Sequence, residues 1–176
     1  MRASSDEVHI WPLDIGPKGG RGPLLDILAR YLERDPARIE LRRGEHGKPA
    51  LAGDPQGLRF NLSHSGPLAL VAVTKDREVG IDVERHRRRR NLQRLAERAL
   101  GPASAAAVAA AAPDARLRVF YAAWTRREAV AKCTGVGLHQ PPTESPVSVW
   151  GLPPGKGWTA SLAVAGRERL PVRWMP

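Results

Sequence analysis

An α+β fold with largely antiparallel sheets is predicted by three features of this sequence. Strand-like runs occur close together at residues 58–62, 68–74 and 78–84, helical periodicity is concentrated in 24–32 and 91–134, and regular strand–helix–strand alternation is missing.

Taken in order, residues 7–13 alternate as a strand does, with Val8 and Ile10 on one face and His9, Trp11 and Leu13 on the other. A glycine-rich loop follows at 16–22. Leu24, Leu25, Ile27, Leu28, Tyr31 and Leu32 then recur at helical spacing, with Pro23 opening the helix and Asp35-Pro36 closing it. A short strand is expected near 39–41. Residues 44–57, rich in Gly and Pro and holding Gly47-Lys48-Pro49, predict an exposed loop. Of the three strand-like runs that come next, the last two read as a tight hairpin through Lys75-Asp76-Arg77, and together the three should form one sheet. Helices are expected at 91–100 and 103–112, parted by Gly101-Pro102. The longest runs from Pro113-Asp114 to about Thr134, where Gly135-Val136-Gly137 stops it. Strands return at 145–151, 158–164 and 170–174. A division near 75–77 gives two parts, 1–76 and 77–176, of comparable element content.

With 176 residues, 42% of them hydrophobic, the chain can bury one ordinary core or two small subdomains sharing an interface. Its single cysteine, Cys133, excludes an intramolecular disulfide framework and a multi-cysteine zinc site, and fits a reducing, cytoplasmic setting. Residues 1–7 lack the apolar stretch of a signal peptide. The longest apolar run, 105–112, falls well short of the roughly 20 residues that span a bilayer, so a soluble protein without membrane association is expected. A formal charge of +10 attracts acidic partners without naming them, and an arginine excess also fits a GC-rich coding bias.

The chemistry concentrates in two places. On a strand, Asp82 and Glu84 share a face, and two acids so close repel each other unless a cation compensates. On the long helix, Phe120, Trp124, Glu128 and Lys132 lie four apart on one stripe. Each feature has a plain reading, an exposed strand face met by arginines and an ordinary helix ion pair. Brought together, three carboxylates make an oxygen-only site suited to Mg²⁺, and Lys132 is left to meet phosphate, which implies a phosphate-bearing substrate.

Gly80-Ile81-Asp82-Val83-Glu84, then Trp124-Thr125-Arg126-Arg127-Glu128-Ala129-Val130-Ala131-Lys132, then Gly135 and Gly137-Leu138, resembles in order and spacing the signature of the Sfp-type 4′-phosphopantetheinyl transferases. Gly47-Lys48-Pro49 and Phe60-Asn61-Leu62-Ser63-His64-Ser65-Gly66 match two further motifs of that family, and residues 21–30 resemble its early Arg-led helix. The resemblance covers most of the chain. It implies two pseudo-symmetric α/β subdomains with mainly antiparallel sheets, in a monomer, with 1–76 contacting the nucleotide of coenzyme A and 77–176 carrying the metal site and the docking face. It implies transfer of 4′-phosphopantetheine from coenzyme A to a serine of an acidic acyl or peptidyl carrier protein, with Mg²⁺ required and 3′,5′-ADP released. Such carriers serve fatty-acid, polyketide and nonribosomal peptide synthesis.

By the same resemblance Asp82, Glu84 and Glu128 would hold the metal, and Glu128 and Lys132 would be catalytic, as base and as phosphate contact. Arg21, Lys48, Ser63, His64 and Lys132 would bind the coenzyme. The chain departs from the family pattern in its short loop before Arg21, in Gly22 where relatives offer a hydroxyl, in the lack of an acid at 102–104, and in Arg127-Glu128 where Lys-Glu is usual. Arg85-His86-Arg87-Arg88-Arg89-Arg90 is the strongest basic run. It suits docking of an acidic carrier, and it also raises two alternatives in which no transfer occurs, a nucleic-acid-binding protein and a degenerate coenzyme-binding module. The run lacks interleaved aromatics, so no nucleic-acid partner is expected.

Overall fold

The structure, a computed structural model, describes residues 1–16, 21–44, 47–53, 56–136 and 146–176, with Arg21 described in its backbone alone. The loop expected at 16–22 and the Gly137-Leu138 pair of the helix motif therefore lie largely outside the described residues.

Strand β1 (Val8–Asp14) is followed by helix α1 (Arg21–Leu32), β2 (Leu41–Arg43), β3 (Pro49–Leu51), β4 (Leu58–Ser65), β5 (Leu68–Lys75) and β6 (Val79–Arg85). Three helices come next, α2 (Leu92–Ala99), α3 (Pro102–Ala110) and α4 (Arg116–Thr134), and then β7 (Val147–Leu152), β8 (Trp158–Ala165) and β9 (Val172–Trp174). One sheet has the order β4-β5-β1-β9 and a second the order β6-β8-β7, while β2 and β3 form a small hairpin. Pairing is antiparallel throughout the described sheets except where β9 returns to lie parallel to β1, Val8 opposite Val172. The fold is α+β, as expected.

The alternation read in β1 explains the layering. Trp11 faces a core that holds Leu28 and Tyr31 of α1 with Phe60, Val71 and Val73. Val8 and Ile10 face the other way, and with Leu70 and Ala72 they meet Val79, Ile81, Val83 and Leu162 of the second sheet. That sheet in turn carries α4 on its far side, where Ala129 and Cys133 pack on Ala163. The layers run α1, four-stranded sheet, three-stranded sheet, α4. Residues such as Ile10 and Ile81 are fully buried, and each side chain of this kind contributes about 1.5–3 kcal/mol of transfer free energy.

Two expectations fail. β5 and β6 are not a hairpin: β5 pairs with β4 and β1, whereas β6 pairs with β8. Both edges of β5 already have partner strands, β4 and β1, so the chain crosses at 76–78 from one sheet to the other, with Asp76 in the left-handed region at φ 58° and its N–H on the Gly57 carbonyl. The tight turn lies one connection earlier, at Gly66-Pro67 between β4 and β5, and Gly66 has φ 59°. The second failure is in the supposed loop 44–57, where Pro49–Leu51 pairs with Leu41–Arg43 across a turn closed by the Gly47 N–H on the Gly44 carbonyl. Proline is tolerated there because β3 is an edge strand.

Candidate active site

Helix α4 can lie on β6 because Gly80 has no side chain. A Cβ at that position would stand 2.1 Å from the Ala129 carbonyl oxygen and 2.3 Å from the Cys133 nitrogen. The helix backbone thus rests on the strand itself, which brings the stripe of α4 against the acidic face of β6. Phe120 and Trp124, stacked with centroids 6.1 Å apart, anchor the start of that stripe in the core made with α2 and α3. The Arg127 guanidinium donates to the Ala99 carbonyl and ties α4 to the end of α2. Gly135, in the left-handed region at φ 71°, ends the helix.

Five of the residues singled out in the sequence, Ser63, Asp82, Glu84, Glu128 and Lys132, meet at this contact. Lys132 Nζ donates to Asp82 Oδ1 at 2.7 Å and to Ser63 Oγ at 3.1 Å, and Ser63 Oγ donates to the same Asp82 oxygen at 2.8 Å. Asp82 is 4% exposed, and its second oxygen, Oδ2, is buried without a hydrogen-bond partner among the described residues. Glu84, two residues on, accepts from Ser65 Oγ at 2.9 Å. Glu128 is half-buried beside them, and its carboxyl is held above the usual range, chiefly by burial and then by the charges of Asp82 and Glu84, with Lys132 opposing.

The remaining predicted contacts are placed differently. Lys48 lines the same cleft as Glu128 and Lys132, a hollow of about 310 Å³ that also borders Asn61, but its ammonium rests on Glu78 Oε2 at 2.7 Å and on the Val79 carbonyl at 2.9 Å. A second hollow of about 580 Å³, lined by Arg42, Arg59 and Glu78, adjoins the first through Lys48, Pro49 and Gly135. His64 alternates away from Ser63 and is exposed. Arg21 opens α1, and its side chain lies outside the described residues. Cys133 is no nucleophile here, since burial pushes its thiol up to about 11 and its Sγ donates to the Glu78 carbonyl.

As they lie, no three His, Cys, Asp or Glu among the described residues stand in a metal-holding group. The chemistry of the donors nevertheless fits a hard divalent cation: the acids are three carboxylates, one has a buried oxygen without a partner among the described residues, and a second is driven toward its neutral form by burial and then by the charges of the other two. Sequence reading missed Asn61 and Ser65 as site residues. Their signal was the period of two in Asn61-Leu62-Ser63-His64-Ser65, which points three polar side chains the same way.

Comparison with known proteins bears on the same residues. Residues 78–156, which hold Asp82, Glu84, Glu128 and Lys132, match the model of the 4′-phosphopantetheinyl transferase superfamily. Over 173 residues the chain is 35% identical to the 4′-phosphopantetheinyl transferase HetI of Nostoc sp., a match covering 88% of this chain and 73% of HetI. It is 40% identical over 110 residues to the 4′-phosphopantetheinyl transferase AcpT of Salmonella typhi, covering 62% of this chain and 55% of AcpT. It is 34% identical over 131 residues to a phosphopantetheinyl transferase of Thraustochytrium sp., covering 68% of this chain and 46% of that protein. With its acid cluster inside the matched region and its likeness to HetI running through most of both chains, this chain belongs to the 4′-phosphopantetheinyl transferase superfamily.

Proposed function

We propose that this enzyme transfers the 4′-phosphopantetheine group of coenzyme A to a serine of an acidic apo acyl or peptidyl carrier protein, requires Mg²⁺, and releases 3′,5′-ADP. The observation that carries the reading is the convergence of Asp82, Glu84, Glu128 and Lys132 where α4 crosses β6, at the end of a cleft that reaches Lys48.

In the reaction the carrier serine oxygen attacks the phosphorus that bears pantetheine, and the bond from that phosphorus to the bridging oxygen of the pyrophosphate breaks. Asp82, Glu84 and Glu128 would hold Mg²⁺, which when bound supplies charge neutralisation for the pyrophosphate. Glu128 accepts the serine proton, and burial, with the charges of Asp82 and Glu84 beside it, raises its affinity for that proton. Lys132 exchanges its contact with Asp82 for a phosphate oxygen and stabilises the charge that develops there. The nucleotide end of the coenzyme meets Lys48, Ser63, His64 and Arg21. In this division of labour residues 1–76 serve the nucleotide, and 77–176 the metal and the carrier.

The basic run serves docking. Arg87, Arg88, Arg89 and Arg90 are exposed directly after β6, with the Arg87 N–H and Arg89 Nε both on the Tyr121 hydroxyl, at 3.3 and 3.4 Å. Guanidinium groups there steer an acidic carrier toward Glu84, and added salt raises the KM for carrier more than that for coenzyme A. The enzyme acts as a cytoplasmic monomer. Incubation with coenzyme A, Mg²⁺ and an apo carrier, followed by mass spectrometry, is expected to show a phosphopantetheine adduct. Absence of the adduct on both an acyl and a peptidyl carrier overturns the reading.

A further inference from the structure

Among the described residues, strand β6 forms an edge of its sheet, with β8 on one side. An edge strand offers a row of backbone N–H groups that must find partners if buried. Here the partners come from side chains on β4 in the other sheet: Asn61 Oδ1 accepts from the Ile81 N–H at 2.8 Å, Ser63 Oγ from the Val83 N–H at 3.3 Å, and Ser65 Oγ from the Arg85 N–H at 3.2 Å. Alternate residues of β4 thus replace the missing strand, two residues on one for every two on the other.

This placement decides where the hydroxyl protons go. A serine oxygen has one proton to give and two lone pairs to accept with. Ser63 accepts from Val83 and from Lys132, so its proton goes to Asp82 Oδ1, 2.8 Å away. Ser65 accepts from Arg85, and its proton goes to Glu84 Oε2 at 2.9 Å. Each acid of β6 is therefore gripped at one oxygen by a hydroxyl that is itself fixed by the backbone of β6. On Asp82 the other oxygen, Oδ2, is left buried and unpartnered. A carboxylate held at one oxygen presents the other in a set direction, as the outer partners of metal ligands do.

We propose that Ser65 is a positioning residue for the acid cluster: its hydroxyl orients Glu84 toward a divalent cation as that of Ser63 orients Asp82, so that β4 sets the spacing of both acids. The proposal rests on the reading of Asp82, Glu84 and Glu128 as cation ligands. Ser65 itself makes no contact with coenzyme A in this scheme.

The test is Mn²⁺ binding by electron paramagnetic resonance, with coenzyme A saturating, in the wild-type protein and in Ser65→Ala, Ser65→Cys and Ser65→Thr. Ser65→Ala is expected to bind Mn²⁺ roughly 10-fold more weakly. Ser65→Cys, which nearly keeps the volume with a weak donor, follows it and covers the case in which Ser65→Ala does not fold. Ser65→Thr, which keeps the hydroxyl, stays near the wild type. Coenzyme A affinity without metal is expected to be equal in all four. If the alanine and cysteine variants bind Mn²⁺ as the wild type does and lose only thermal stability, Ser65 merely closes the seam and the proposal is overturned. Loss of metal-free coenzyme A binding would instead make Ser65 a coenzyme contact, and overturns it too. A wild-type protein that binds no Mn²⁺ removes the cluster reading on which it rests, an outcome distinct from failure at Ser65 alone.

Discussion

Under α1, the Tyr31 hydroxyl accepts from the Trp11 indole at 2.9 Å and shares a hydrogen bond with His9 Nδ1 at 2.6 Å, while His9 Nε2 donates to Glu7 at 2.8 Å. Under α4, Asp82 receives Lys132 and Ser63 on one oxygen and leaves the other buried and, among the described residues, unmatched, beside a Glu128 that burial and then the neighbouring acids push toward protonation. Both are polar networks between a helix and the sheet beneath it. The first closes, and burial there pushes the Tyr31 phenol up to about 12, out of reach of proton chemistry. The second stays open by one carboxylate oxygen and carries more negative charge than its lysine balances. Closed networks hold a helix in place, and the open one keeps bonding capacity for a ligand.

The largest effect expected from breaking this contrast is on catalysis. Glu128→Gln removes the proposed base and one proposed cation ligand with little change of volume, and carrier modification followed by mass spectrometry should slow by about 100- to 1,000-fold. Turnover at the wild-type rate would show that Glu128 is a bystander. Next comes Gly80→Ala, which tests whether the open network depends on the closeness of α4. The added methyl meets helix backbone at 2.1 Å, and backbone cannot step aside as a flexible side chain can. Urea unfolding should show a loss of about 3 kcal/mol, with turnover falling as α4 is pushed off the acids. Tyr31→Phe should act oppositely in kind. It leaves His9 Nδ1 and the Trp11 indole buried without a partner, costs about 1–3 kcal/mol in the same measurement, and leaves the turnover of folded molecules unchanged. A Tyr31→Phe protein of full stability with poor turnover would invert the assignment of the two networks.

How much of this was legible in the sequence depended on whether a contact is made within one element or between two. The stripe Phe120, Trp124, Glu128, Lys132 follows from helical period alone, and the shared face of Asp82 and Glu84 from strand period. Both survive in the structure, as does the alternation of Val8 and Ile10 against His9 and Trp11 in β1. The β5–β6 hairpin failed because Lys75-Asp76-Arg77 reads as a turn whether the strands that flank it pair with each other or diverge into different sheets. What decided it was that β4 and β1 occupy both edges of β5, a tertiary fact. Ser63 is expected from the sequence only as a coenzyme contact, and the structure adds that it sits in the seam, bonded to Asp82, Lys132 and Val83. No local pattern distinguishes a serine that meets phosphate from one that meets a neighbouring strand. Gly80 gives the same lesson: its place beside Ile81-Asp82 was visible, and the helix that requires it was not.

The smallest effect discriminates most finely, because its sign differs from that of ordinary damage. A carboxyl whose folded affinity for protons is raised adds stability that is complete below its unfolded pKa and is lost as pH rises through its folded pKa, and Glu128 is such a group. At neutral pH the metal-free wild type therefore carries a penalty that Glu128→Gln lacks. Since Glu128 is only half-buried, solvent reduces that penalty, and the variant's Tm should exceed the wild type's by roughly 1–3 °C. The gap should close as pH falls toward about 4, where the unfolded chain's glutamates also take up protons. Added Mg²⁺ with coenzyme A should raise the wild-type Tm and leave the variant nearly unmoved, which reverses the order. Tyr31→Phe has no such reversal available, because a closed network has no ligand to win its stability back. A Glu128→Gln protein less stable than the wild type at pH 7 without metal would mean that Glu128 is held by favourable contacts, and the contrast between the two networks would fail at its active-site end.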